Sequence, residues 1–164
     1  MKKFKILNLP EHNLYWFTGQ PGAGKTTLAN LLKKKLEVIN NGRQKVVILD
    51  GDEIRDLFNN KDYSIDGRKN NVEMVQNCCR FLVKNDIITI VCMVSPFAKQ
   101  RSEIVKELNG IEIFVECIEE RGREQYHVDY YEEPKYTVAH NSVNVNTSYK
   151  SDLESFEVLW KKLL

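Results

Sequence analysis

Apolar residues along this chain gather in short unbroken runs separated by longer stretches with helical spacing. Leu14-Tyr15-Trp16-Phe17-Thr18 is the first run, and its Tyr15–Thr18 portion reads as a buried strand. A helix is expected from Lys25 to about Val38, stopped by the turn signal Asn40-Asn41-Gly42. Lys45-Val46-Val47-Ile48-Leu49 reads as a second strand. From Asn70 to Lys84 the spacing of Val72, Val75, Cys79 and Leu82 predicts a helix. Ile87 to Val94 is a continuous apolar run, the pattern of a central parallel strand covered on both faces. A helix over Lys99–Leu108, a strand over Ile111–Val115 and a weak last strand over Val143–Asn146 follow. Ser151-Asp152-Leu153-Glu154 carries a capping-box pattern and opens a helix whose Leu153, Phe156, Trp160 and Leu163 form an apolar stripe, read as a core face. Repeated β-α units predict an α/β fold: a parallel sheet with helices on both faces.

Composition adds bounds rather than detail. The chain has 164 residues, 42% of them hydrophobic, and a formal charge of +1. That is the length of one domain, and residues 1–164 are expected to form one. A near-neutral charge implies no nucleic-acid partner. No apolar run approaches the ~20 residues that span a bilayer, and no signal-peptide core is visible, so no membrane partner is expected and a cytoplasmic location is. None of the cysteines, Cys78, Cys79, Cys92 and Cys117, forms a C-x-x-C pair, as expected for thiols in a reducing compartment.

The first strand leads into Gly19-Gln20-Pro21-Gly22-Ala23-Gly24-Lys25-Thr26, a complete G-x-x-x-x-G-K-T phosphate loop followed by Thr27 in the next helix. Glycines let the backbone turn tightly, so that its N–H groups approach phosphate oxygens. Lys25 brings a point charge to the β- and γ-phosphates, and the Thr26 hydroxyl is a Mg²⁺ ligand. Gly19 to Thr27 are therefore the expected ATP-binding residues. In a parallel sheet, ligands sit beyond the carboxyl ends of the strands. Asp50-Gly51-Asp52 follows the second strand, so both carboxylates should lie near the loop, to hold Mg²⁺ or to accept a proton from an attacking hydroxyl. Arg55, one helical turn on from Asp52, suits an anionic acceptor. Ser95-Pro96-Phe97 follows the central strand; Phe97 either stacks on a base or fills the core.

Four segments in this order resemble the adenylylsulfate kinase family, from about Tyr15 to Arg101: Trp16-Phe17-Thr18-Gly19 entering the loop; Leu49-Asp50-Gly51-Asp52-Glu53-Ile54-Arg55; Tyr63-Ser64-Ile65-Asp66-Gly67-Arg68-Lys69-Asn70-Asn71; and Ser95-Pro96-Phe97-Ala98-Lys99-Gln100-Arg101. The resemblance implies a three-layer P-loop NTPase fold of nucleoside-monophosphate-kinase type, with a five-stranded parallel sheet. It implies ATP and Mg²⁺ as cofactors and transfer of the γ-phosphoryl to a ribose 3′-hydroxyl. Lys25 and Asp52 become the catalytic residues, Asp52 as general base. Thr26, Asp50 and Asp52 hold the metal. Arg55, Arg68 and Asn71 hold the nucleotide acceptor, Phe58 and Phe97 bracket its base, and Ser95 and Pro96 line its site. A hydrogen-bonding role for Ser95 is simpler than the phosphorylated intermediate proposed in the family, because phosphoryl transfer needs positioning and charge stabilisation above all. A homodimer is a further implication.

The chain departs from the family after its fourth strand. Glu120-Arg121-Gly122-Arg123-Glu124-Gln125-Tyr126-His127-Val128-Asp129 stands where the family has a longer basic lid and an F-T-G segment, and only Tyr130-Tyr131-Glu132-Glu133-Pro134 keeps a Y-E-x-P ending. The lid is thus shortened. Arg121 either stacks on the ATP adenine or faces solvent. With those segments missing, the chain resembles a related kinase branch that phosphorylates cytidine diphosphoramidate in making capsular phosphoramidate groups, which implies that acceptor, with adenylylsulfate as the alternative. A nucleotide-binding regulator without turnover is the remaining reading; intact Lys25, Thr26, Asp50 and Asp52 speak against it.

Overall fold

In a computed structural model, which describes residues 11–134 and 141–164, five parallel strands form one sheet. They are β1 (Leu14–Thr18), β2 (Val46–Asp50), β3 (Ile88–Cys92), β4 (Ile111–Glu116) and β5 (Ser142–Asn146), in the spatial order β2-β3-β1-β4-β5. β1 lies at the centre, fully buried along its length. Its side chains alternate between two cores. Tyr15 and Phe17 join one with α1 (Lys25–Asn40) and the C-terminal helix. Leu14 and Trp16 join the other with residues of the helices between β2 and β4. Burial on both faces is why the strand reads as an unbroken apolar run.

Helices follow the expected spans with three differences. Gly51–Leu57 forms a short helix, α2, that apolar spacing did not reveal, because Ile54 is its one buried apolar side chain. Asp50 starts it: Oδ1 accepts from the Asp52 N–H at 2.9 Å. Gly51 is needed there, since a Cβ would lie 2.7 Å from Met93 Cβ. The next helix, α3, runs Ile65–Lys84 and so begins before Asn70. Ser64 caps it, its Oγ accepting from the Gly67 N–H at 3.1 Å. This extension brings Arg68 onto the helix as well, one turn before Asn71.

α4 spans Ala98–Glu107, and Glu124–Tyr126 makes a single 3-10 turn, α5. The last helix, α6 (Asp152–Leu163), carries the expected capping box at Ser151 and Glu154. Its buried face is Ser155, Leu159 and Leu163, flanked by half-buried Phe156 and Trp160. Leu153 is 66% exposed, so the expected stripe is corrected at its first member: the capping turn holds that residue outside the packed face.

α4 is joined to β4 by a buried ion pair between Arg101 and Glu112, which are 0% and 1% exposed. Arg101 also donates to the Ser95 carbonyl and the Glu132 carbonyl, both at 2.6 Å. No helix among the described residues is long and apolar enough to cross a membrane.

Candidate active site

The carboxyl ends of β1, β2 and β3 open into one cleft of about 940 Å³. One wall is the phosphate loop with the first turn of α1. The cleft is also lined by Asp50 and Asp52 from the start of α2, Arg55 from its end, and Arg68 and Asn71 from α3. Ser95 and Pro96 line it after β3, and Arg121 and Arg123 border it from the segment after β4.

The phosphate loop is shaped by glycines. Gly19, Gly22 and Gly24 have φ of 141°, 85° and 102°, and a Cβ on Gly19 would lie 2.1 Å from the Val115 carbonyl oxygen. Gly24 at the start of α1 offers no side-chain cap, and the first turn holds no acidic residue. That leaves the orphan N–H groups and the positive end of the helix dipole for an anion. Lys25 Nζ donates to the Gly19 and Gln20 carbonyls at 2.8 Å each. Burial lowers its pKa to about 8, against upward pulls from Cys92, Asp50 and Asp52 and a downward one from Arg123. A lysine poised there gains by meeting a polyanion.

Most of the expected site residues meet in this cleft: Pro21, Gly22, Gly24, Lys25, Thr26 and Thr27 on one wall, and Asp50, Asp52, Arg55, Arg68, Asn71, Ser95, Pro96 and Arg121 around the rest. Gly19, Gln20, Ala23, Phe58 and Phe97 do not line it. Gly19 and Ala23 are buried beneath the loop. The Gln20 side chain is engaged with the backbone of Val128. Phe58, just past α2, is 51% exposed. Phe97 stacks on Tyr130 at 5.8 Å, with the Lys69 ammonium 5.1 Å from its ring centroid. The two phenylalanines therefore do not face each other across a base in this structure.

A different aromatic residue, given no role of its own in the sequence, lines the cleft. Tyr63 lines the cleft with the Arg55 guanidinium 4.3 Å and the Arg68 guanidinium 5.6 Å from its ring centroid. Its position in sequence between the two arginines was the available signal. Arg55, itself buried, is held by the Asp62 carbonyl at 2.8 Å. Asn71 is 2% exposed; its Nδ2 donates to the Gly51 carbonyl at 3.4 Å, while Oδ1 has no partner among the described residues. An unpartnered buried acceptor lining the cleft is an opening for a ligand donor.

Ser95 has φ of 40° and is 2% exposed. Its Oγ accepts from Trp16 Nε1 at 2.9 Å and lies 3.3 Å from Thr18 Oγ1. Arg121 does not extend over the cleft as a lone cation. It pairs with Glu119 at 2.8 Å and donates to the Thr147 carbonyl at 2.9 Å and the Gly22 carbonyl at 3.4 Å. It thus ties the phosphate loop to the turn after β5.

The sequence matches the family described as Adenylylsulphate kinase over residues 12–155. The chain belongs to the adenylylsulphate kinase family. Among curated relatives it is 42% identical over 104 residues to a probable adenylyl-sulfate kinase of Archaeoglobus fulgidus, a match covering 62% of this chain and 65% of that protein. It is 35% identical over 121 residues to the adenylyl-sulfate kinase of Bacillus velezensis, covering 71% and 59%. The matched stretch is thus under two thirds of these relatives' own lengths. A solved structure of the Mycobacterium tuberculosis APS kinase in complex with AMPPNP and APS aligns with a TM-score of 0.70 at 19% identity, covering 94% of this chain and 99% of that one. At that identity the likeness bears on the fold, the P-loop α/β architecture expected from the sequence.

Mg²⁺ is usually held by one or two carboxylates together with substrate phosphates and water, rather than by a protein cage. The Thr26 hydroxyl and the Asp50 and Asp52 carboxylates, lining the cleft beside the uncapped helix start, fit that pattern.

Proposed function

We propose that this chain is an ATP-dependent kinase that transfers the γ-phosphoryl of Mg-ATP to the ribose 3′-hydroxyl of a nucleotide acceptor. One observation carries the reading: a single cleft is lined by the phosphate loop together with Asp52, Arg55, Arg68 and Asn71. Lys25 and the first N–H groups of α1 would take the phosphates, and Thr26 with Asp50 and Asp52 would hold the metal. Bound Mg²⁺ supplies charge neutralisation at the β- and γ-oxygens. Asp52 would accept the hydroxyl proton, Arg55 and Arg68 would hold the acceptor's charge, and Tyr63 would offer its ring to the acceptor base. Ser95 would support the acceptor wall through hydrogen bonding rather than carry phosphate.

For the acceptor, cytidine diphosphoramidate is the proposal, which would place the enzyme in capsule phosphoramidate synthesis. Its support is the replaced segment after β4, in which no F-T-G follows the fourth strand. Adenylylsulfate is the second reading, favoured by the names of the curated relatives. A single domain, a homodimer and a cytoplasmic location belong to the same proposal.

A coupled ADP-release assay with Mg-ATP, run with both acceptors in parallel, tests it. Turnover with the cytidine compound alone supports the first acceptor, and turnover with adenylylsulfate supports the second. Asp52→Asn should keep ATP binding and slow turnover about 10²–10⁴-fold. Absence of turnover with either acceptor would remove both, and equal turnover in Asp52→Asn would remove the general base.

A further inference from the structure

Gln20, the second residue of the phosphate loop, does not face the cleft. Its Nε2 donates to the Val128 carbonyl at 2.9 Å, and its Oε1 accepts from the Val128 N–H at 2.9 Å. Both halves of one side-chain amide thus satisfy both backbone groups of one residue, in the manner of a strand partner. Val128 is 5% exposed, so without Gln20 its N–H would lose its partner in a buried place, while its carbonyl would keep the Tyr131 N–H at 3.2 Å. His127 Nε2 adds a contact to the Pro21 carbonyl at 3.2 Å. The phosphate loop is therefore clasped to the segment that replaces the family's lid.

Four residues on, the same segment is anchored to the other side of the cleft. Glu132 donates its N–H to the Pro96 carbonyl at 2.8 Å, and its own carbonyl accepts from Arg101 Nη2 at 2.6 Å. Its Oε2 accepts from the Ala98 N–H at 2.9 Å. Ala98 opens α4, whose cap residue Phe97 makes no side-chain capping bond. A glutamate distant in sequence thus supplies the acceptor that the helix start lacks locally. Between the two anchors, the Tyr131 ring packs on Phe114 at 6.0 Å, and its hydroxyl lies 2.9 Å from Thr18 Oγ1. Thr18 is the residue before the phosphate loop.

We propose that residues 128–134 are a strap coupling the phosphate loop to the Ser95–Phe97 turn, with Gln20 and Glu132 as its positioning residues. The strap rests on the reading that a nucleoside triphosphate occupies the phosphate loop. The Tyr131 N–H donates back to the Val128 carbonyl at 3.2 Å, so the segment between the two anchors is itself a hydrogen-bonded turn through which a shift of the loop is passed on. Occupancy of the loop then biases the acceptor wall, which brings the two reacting groups into register only when donor phosphates are present.

The test uses Mg-AMPPNP as the nucleotide probe, with amide hydrogen exchange as readout. Binding is followed separately by titration, and folding by thermal melting. In the wild-type chain, nucleotide should slow exchange at 127–133 and also at 96–101, by about ten-fold. Glu132→Ala should bind nucleotide and keep the effect at 127–129 but lose it at 96–101. Glu132→Gln should restore it, because an amide oxygen still accepts from the Ala98 N–H. Gln20→Leu should lose the effect at 96–101; if that variant fails to fold, Gln20→Glu, which keeps one of the two bonds, should show it reduced. Protection at 96–101 that is absent in the wild type despite bound nucleotide, or unchanged in Glu132→Ala and the Gln20 variant, overturns the coupling alone. A wild-type chain that binds no nucleotide overturns the coupling and the kinase reading together.

Discussion

Removing the charge from Glu112 should unfold this protein more readily than any change at its surface. The Arg101–Glu112 pair lies between α4 and β4 at 0% and 1% exposure. Arg101 also donates to the Ser95 and Glu132 carbonyls, and its guanidinium sits 5.2 Å from the Tyr131 ring centroid. Glu112→Gln leaves that cation in the core without its carboxylate, a change that costs about 3–5 kcal/mol. Against a total stability of about 5–15 kcal/mol, the loss is large. It corresponds to a fall in melting temperature of about 6–20 °C for a chain of this size. Arg101→Met should also destabilise, because two carbonyls lose their donor. The two changes share one interaction, so the double variant should cost less than the sum of the singles by about 1–3 kcal/mol. Urea unfolding of the four proteins, with slopes checked for constancy, measures the cycle. A cost under about 1 kcal/mol for Glu112→Gln, or additivity within about 0.5 kcal/mol, would refute the claim that burial makes the pair interdependent.

Three further outcomes are expected. Ser95→Ala should cost about 1–3 kcal/mol of stability, because Trp16 Nε1 loses its buried acceptor. The same variant should keep phosphoryl transfer within about ten-fold, and a folded Ser95→Ala with no turnover would revive a covalent role. Tyr63→Ala should raise the acceptor KM about ten-fold with little effect on the ATP KM, since it removes the ring flanked by Arg55 and Arg68; an ATP-side effect alone would move Tyr63 away from the acceptor. Lys25 has a folded pKa of about 8, below its ordinary 10.5, so the unfolded chain binds more protons between those values. Its contribution to stability is least favourable below pH 8, where it is charged in both states, and rises with pH across that window. The stability of wild type relative to Lys25→Met should accordingly improve by about 1–3 kcal/mol from pH 7.5 to 10.5, and chemical denaturation showing no such change would refute the assigned burial cost.

The chain's local chemistry determined much of this protein in advance. The phosphate loop, the capping box at Ser151, the stop at Asn41, which has a φ of 51°, and the strand runs all act within a few neighbouring residues. Their readings held because a tight turn, a cap or a twice-covered strand needs particular residue types wherever it occurs. The cleft walls were also legible, since strand ends converge in a parallel sheet and Asp52, Arg55, Arg68 and Asn71 all follow or flank them. Tertiary structure decided the rest. α2 forms with one buried apolar side chain because Asp50 caps it and Gly51 fits beneath Met93, which periodicity does not register. The stripe of α6 is set by what packs on it, so Leu159 is inside and Leu153 outside. Phe97 stacks on Tyr130 and Tyr63 lies against two arginines because residues distant in sequence meet there. Gln20 on Val128, Arg101 on Glu132 and Glu132 on Ala98 are long-range hydrogen bonds whose partners carry no spacing signal. Short-range rules act through backbone geometry, which sequence displays directly; these contacts depend on where the packed sheet brings the chain back, and that is known only once it is folded.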